Sequence, residues 1–111
     1  MDAITPTPSQ RSPLALPTTL HVGSGKSFKP AMLNLDVDAR WRPDIVYDLE
    51  RPLPADGQVA FASARFGPIV LGDETFQEIV AVDVLEHLRD LPTAMTTLLR
   101  WLRTDGVLKL A

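Results

Sequence analysis

Short apolar runs, separated by polar links that contain glycine and proline, dominate this chain after its first eighteen residues. Five of these runs have the length of buried strands, at about residues 19–22, 33–36, 44–47, 76–82 and 107–110. The fourth run is rich in β-branched residues and nearly uninterrupted, which is typical of a central strand in a parallel sheet. The pattern therefore predicts a sheet of buried strands rather than a helical bundle.

One amphipathic segment separates the last two predicted strands. Asp90 is suited to cap the start of a helix, and Pro92 stands where the first turn tolerates proline. Apolar residues recur at helical spacing until about Arg103, and they predict a buried face formed by Met95, Leu98, Leu99 and Leu102. Another helical turn is expected over residues 84–88. Strands followed by a helix and a further strand indicate the α/β class with a mostly parallel sheet.

The links between the first three strands are shorter than ordinary parallel crossovers, which take about a dozen or more residues and are usually helical. Two arrangements stay open: either the crossovers are trimmed to single turns, or two of these strands pair differently. Further along the chain, residues 61–66 are expected to form a short helix and residues 69–71 a brief extended run.

Composition limits the partners and the compartment. The 111 residues suffice for one small domain, and the net charge of −3 argues against a general nucleic-acid binder, which depends on clustered Lys and Arg. No run has the length of a membrane span and no signal peptide is recognisable, so a cytoplasmic protein without membrane contact is expected. Residues 1–18 carry four prolines and are expected to form a flexible arm before a domain at 19–111.

Glycines and carboxylates follow directly after the predicted strands. The first strand leads into Gly23 and Gly25, where the missing Cβ allows a tight turn and the close approach of a ligand. Asp36, Asp48 and Asp83 end the next three strands. Because α/β proteins bind ligands at the carboxyl ends of parallel strands, we predict a site for a nucleotide-like ligand there. Simpler roles stay open: Asp36 could be a solvated strand end or a turn cap. Asp48 could pair with Arg51 or cap the turn before Pro52, and Asp83 could cap the short helix that follows.

Other chemistry fits the same residues less well. Gly25-Lys26-Ser27 is not a phosphate-binding loop, because Leu20 stands where that motif has its first glycine. A dinucleotide site needs a long helix after the glycines and an acid about twenty residues on, so Asp36 comes too early. No His and carboxylate spacing suits a metal. His21 is expected to be a core histidine, and His87 a structural residue.

In these segments the chain resembles the class I S-adenosylmethionine-dependent methyltransferases. The similar segments are residues 20–25 (the family's glycine-rich first motif), 33–38 (its second strand with the ribose-binding acid), 44–54 (the region around the adenine), 76–88 (its fourth motif) and 105–108 (the turn into its fifth strand). Ser27 stands where the family often has a third glycine. The resemblance covers about residues 19–111.

The resemblance implies a Rossmann-like, mostly parallel sheet with trimmed crossovers, and S-adenosylmethionine as the cofactor. The implied cofactor-binding residues are Gly23, Ser24, Gly25, Asp36, Asp48 and Asp83. It assigns neither a catalytic residue nor the methyl acceptor.

Members of this family usually continue past the fifth strand with further C-terminal strands. We expect the sheet of this chain to lack those strands. We therefore expect a methyltransferase or its cofactor-binding portion. The alternatives are a non-catalytic binding or regulatory remnant of the fold and, third, a fragment of an NAD-dependent oxidoreductase. An unpaired last strand is expected to favour a homodimer through the exposed sheet edge.

Overall fold

The computed structural model describes residues 16–111, so the arm predicted over residues 1–18 lies outside the described chain up to residue 15. Its last residues contact the domain. Leu16 is half-buried against the hydrophobic core, and the carbonyl oxygen of Thr18 accepts hydrogen bonds from the backbone N–H groups of Gln77 and Glu78 at 2.9 and 3.2 Å. The contacts of the domain thus begin before the first predicted strand.

Seven strands and one α-helix form the described chain. In order they are β1 (Thr19–Val22), β2 (Leu33–Asp36), β3 (Ile45–Val46), β4 (Val59–Ser63), β5 (Gly67–Leu71), β6 (Phe76–Ala81), α1 (Leu91–Trp101) and β7 (Leu102–Leu110), with short 3₁₀ helices at Ala39–Trp41 and Leu85–His87. Five strands form one sheet in the order β3-β2-β1-β6-β7, and each neighbouring pair is parallel. The strands β4 and β5 form a separate antiparallel hairpin. The predicted α/β class with a mostly parallel sheet is confirmed.

The short links join parallel neighbours, which decides between the two arrangements that the sequence left open. Leu20 of β1 is in register with Leu33 of β2, and Leu35 is in register with Ile45 of β3. The link over residues 23–32 contains only turns and bends, and the link from β2 to β3 contains one 3₁₀ helix. The crossovers are therefore trimmed as expected.

A buried polar network stabilises these trimmed links. The carboxylate of Asp44, just before β3, accepts hydrogen bonds from the backbone N–H of Asn34 at 2.7 Å and from Arg65 Nε and Nη2, both at 2.9 Å. Arg65 lies in the β4–β5 turn and also donates to the carbonyl oxygens of Pro30 and Met32, both at 2.7 Å. One side chain from the hairpin thus neutralises a buried carboxylate and pairs backbone carbonyls of the first link.

The helix predicted over residues 61–66 is wrong. Residues 59–63 form β4, and residues 64–66 form the turn into β5. Exposure alternates along β4, which is the period of a strand, because the segment pairs with β5 over five residue pairs. The extended run predicted at residues 69–71 lies within β5 and is confirmed.

The helix α1 begins where the sequence predicts. The Asp90 carboxylate accepts hydrogen bonds from the Thr93 N–H at 3.2 Å and the Thr93 hydroxyl at 2.7 Å, and these bonds lower the pKa of Asp90. Leu98 and Trp101 are fully buried in the core, whereas Leu99, predicted to be buried, is 55% exposed. The helix ends at Trp101 because the chain continues directly as β7, two residues before the predicted end.

The two faces of the sheet differ. Leu20, Leu33 and Ile79 are in register across β1, β2 and β6 and belong to the core cluster that includes Trp101 of α1. Because side chains alternate along a strand, the opposite face carries the registered set His21, Asn34 and Val80. The polar face of β1 and β2 thus lies opposite the core.

The strand β7 forms one edge of the sheet, and its Val107 and Leu110 are about half-exposed. Association of two copies through this edge stays a prediction. No helix within residues 16–111 has the length and apolar character required to cross a bilayer, and the cytoplasmic location also stays a prediction.

Replacing Arg65 with Met tests the polar network. The variant keeps an apolar stem but leaves the Asp44 carboxylate buried without its cation, so the free energy of unfolding should fall by about 3–5 kcal/mol. Urea denaturation measures this loss. Arg40→Met is the matched control, because Arg40 pairs with Asp38 at 2.7 Å while its side chain is 85% exposed, and exposed ion pairs contribute little. Equal losses in the two variants would contradict the role given to Arg65.

Candidate functional site

Two adjoining cavities lie at the carboxyl ends of the central strands. The first cavity, of about 410 Å³, has apolar walls that include Val22, Leu35 and Val84 and acidic groups at Asp36 and Asp48. The second cavity, of about 470 Å³, is polar and is lined by residues that include His21, Lys26 and Lys29. Both lie where the strand order reverses. At this point β1 has β2 on one side and β6 on the other.

The structure brings all six predicted site residues to this edge. Gly23 and Asp83 line both cavities, Asp36 and Asp48 line the first, and Ser24 and Gly25 line the second. The juxtaposition follows from the parallel order of the strands, since residues after β1, β2, β3 and β6 must emerge at the same edge.

Asp36 fixes the glycine turn. Its Oδ2 accepts a hydrogen bond from the backbone N–H of Gly25, and its Oδ1 accepts one from the N–H of Asp38, both at 2.9 Å. The Gly23 N–H in turn donates to the carbonyl oxygen of Leu35 at 2.8 Å. An ionised carboxylate has about four lone-pair sites, so Asp36 keeps acceptor capacity for a ligand hydroxyl while it holds the loop. The turn-cap role left open for Asp36 is confirmed by the bond from the Asp38 N–H, and the bond from the Gly25 N–H shows that this carboxylate is not merely solvated.

The two glycines have different physical roles. Both adopt left-handed backbone conformations, with φ of 71° at Gly23 and 47° at Gly25. A Cβ on Gly23 would collide with Cγ2 of Val84, whereas a Cβ on Gly25 would meet nothing closer than Asp36 Oδ2 at 3.9 Å. Gly23 is therefore required by its packing against Val84, although it also lines both cavities, whereas an added Cβ at Gly25 would project into open space.

Asp83 lies between the cavities in a strained backbone conformation. Its φ is 54°, which is uncommon for a residue with a side chain, although Asp tolerates it better than most. The conformation is held by the residue that follows β7, because the Asp83 N–H donates to the carbonyl oxygen of Ala111 at 2.8 Å. The helix-cap role left open for Asp83 is wrong, since the following 3₁₀ helix has Val84 at its N-cap and no side-chain cap. Backbone strain of this kind concentrates at functional sites.

The segment after β3 closes one side of the first cavity. Asp48 caps its turn by accepting the Glu50 N–H at 2.9 Å. Glu50 Oε2 accepts the N–H groups of Arg89 and Asp90 at 2.9 and 2.8 Å, which ties this segment to the start of α1. The cap role left open for Asp48 is confirmed, and its exposed carboxylate still lines the cavity.

His21 is buried and hydrogen-bonded, as predicted for a core histidine, and it also lines the second cavity. Its side chain is 6% exposed, and its Nδ1 lies 3.0 Å from Asn34 Oδ1. His87 is exposed and lines the first cavity. The sequence signal for the cavity position of His21 was its place near the end of β1, two residues before Gly23. In the described part of the chain, no three His, Asp or Glu side chains are arranged to hold a metal ion.

No protein-family model, curated protein or solved structure matches this chain significantly. The case for a function therefore depends on the residues of the two cavities.

A double-mutant cycle tests the packing role of Gly23. Gly23→Ala should destabilise the protein through both its positive φ and the collision with Val84, whereas in a Val84→Ala background only the φ cost remains. We expect a coupling free energy of roughly 0.5–3 kcal/mol by urea denaturation. If the cost of Gly23→Ala were the same in both backgrounds, the collision would be relieved elsewhere and the packing role would be refuted.

Proposed function

We propose that the first cavity binds the adenosine part of S-adenosylmethionine and that the chain is a methyltransferase or the cofactor-binding portion of one. The strand order β3-β2-β1-β6-β7 is compatible with a Rossmann-like sheet, and ligands of such sheets bind outside the carboxyl ends at the point where the order reverses. The first cavity lies at that point. Its volume of about 410 Å³ falls within the range of about 300–1,000 Å³ that is common for small-molecule sites.

The observation that carries the proposal is the juxtaposition of Asp36 with an apolar wall. Asp36 ends β2 beside Val22 and Leu35, and its carboxylate is already oriented by the Gly25 and Asp38 N–H groups. A nucleoside needs this combination, because its ribose hydroxyls donate hydrogen bonds while its base requires apolar contact. The preformed geometry reduces the entropy that binding would otherwise cost.

The residues present fit the rest of the cofactor as well. Asp48 in the first cavity offers a carboxylate to the amine of an adenine, and Gly25 in the adjoining second cavity has no Cβ to block the approach of the aminoacyl end to the loop. Bound S-adenosylmethionine supplies an electrophilic methyl group, so the chain itself has to bind and orient the reactants rather than provide the chemistry. The acceptor remains unassigned.

A bulky residue on the wall of the first cavity tests the proposal. Val37 lines that cavity and is 65% exposed, so Val37→Trp should fold normally and obstruct the ligand. We expect the affinity for S-adenosylhomocysteine, measured by calorimetry, to fall at least about tenfold, or about 1.4 kcal/mol. Val70→Trp is the control, since Val70 is 60% exposed on the β4–β5 hairpin.

Three outcomes decide between the functions under consideration. Binding of S-adenosylhomocysteine that is weakened by Val37→Trp alone supports the proposal. Binding of NAD instead supports the oxidoreductase alternative. If the parent protein bound neither compound, or if both Trp variants bound equally well, the first cavity would not be the adenosine site.

A further inference from the structure

The orientation of the Asn34 side-chain amide is set by neighbouring groups, each of which can only donate or only accept a hydrogen bond. Asn34 Nδ2 lies 2.9 and 3.0 Å from the carbonyl oxygens of Lys29 and Met32 and 3.1 Å from Asp44 Oδ2. All three are acceptors, so the amide nitrogen must face them. The Lys29 N–H, a donor, lies 2.9 Å from Asn34 Oδ1, which places the amide oxygen on the other side. A flipped amide would oppose four of these contacts.

The fixed amide determines which nitrogen of His21 carries the proton. Asn34 Oδ1 can only accept, and it lies 3.0 Å from His21 Nδ1, so Nδ1 must be the N–H donor. In the neutral ring the lone pair then belongs to Nε2. Within residues 16–111, Nε2 has no hydrogen-bond partner, and His21 lines the second cavity.

We infer that His21 is the proton acceptor of the second cavity, with Asn34 as the residue that positions its ring and selects its tautomer. A ligand that brings an O–H or N–H group would donate to Nε2. On proton transfer, the O–H or N–H bond breaks, its electron pair stays on the ligand, and an N–H bond forms at Nε2. The resulting imidazolium still donates through Nδ1 to Asn34. The charged groups that line the same cavity are Lys26, Lys29 and Asp83.

A proton acceptor at His21 also defines the chemical class of the methyl acceptor, and this extension rests on the proposed function. The second cavity adjoins the first and shares Gly23 and Asp83 with it. A methyl acceptor in the second cavity would thus be an alcohol, phenol or amine that must lose a proton, rather than a nucleophile that reacts without a base. The structure around His21 is tested on the protein alone, so its failure is distinguishable from a failure to bind S-adenosylhomocysteine.

Nitrogen NMR of the two histidines tests the tautomer. His21 and His87 are the two histidines of the chain, so few signals need assignment. In neutral His21 we expect hydrogen on Nδ1 and an unprotonated Nε2, whereas exposed His87 should show the mixture of tautomers that solvent allows. Hydrogen on Nε2 with an unprotonated Nδ1 would overturn the inference, because the ring would then have no lone pair to offer the cavity.

Diethyl pyrocarbonate tests whether Nε2 is accessible. The unprotonated nitrogen attacks a carbonyl carbon of the reagent, ethyl carbonate leaves, and the ring's other proton passes to water. Peptide mass spectrometry should find one ethoxycarbonyl group on His21 and one on His87, the latter serving as the internal control. The His21→Asn variant keeps a donor toward Asn34 and should lose only the ethoxycarbonyl group at position 21. Modification of His87 alone would show that His21 is sealed from ligands and would overturn the proposal.

Discussion

The trimmed crossovers depend on one buried carboxylate. Asp44 is 5% exposed, and it is satisfied by Asn34 of β2 and Arg65 of the hairpin turn. Parallel strands are ordinarily spaced by crossover helices that bury apolar surface, and the links between β1, β2 and β3 have no such helix. A charged network instead joins the first link, the segment before β3 and the β4–β5 turn. Removing Arg65 would leave the Asp44 charge buried without compensation, so the fold tolerates little change in this network.

The polar face of β2 connects this network to the cavities. Asn34 and Asp36 lie two residues apart and therefore on the same face of the strand. Asn34 joins the Asp44 network to His21 in the second cavity, and Asp36 joins the glycine turn to the first. The geometry of both cavities is thus a consequence of how β2 is held. Rigid support of this kind is what a binding site requires if its polar groups are to be preorganised.

The sequence predicted the five strands of the parallel sheet and the edge at which the candidate site residues meet, because apolar runs and the residues that follow them are local signals. It failed where long-range pairing decides. Residues 61–66 were assigned to a helix, but pairing with β5 makes most of this segment a strand and a turn. The role of Gly23 depends on Val84, sixty-one positions later, and that of His21 on the amide of Asn34, so neither was readable from local patterns. The position of Asp36 at the carboxyl edge was predictable, because it depends only on the end of β2 and the parallel order of its neighbours.

We propose that the carboxyl edge around Asp36 is a preformed nucleoside site. Amide NMR of the protein titrated with S-adenosylhomocysteine tests this proposal most directly, because each backbone N–H reports on its own surroundings. We expect the N–H groups of Gly25 and Asp38, which donate to Asp36, to shift together with those of Val37 and Leu49 along the first cavity. Shifts confined to other regions, or no shifts at saturating ligand, would contradict it.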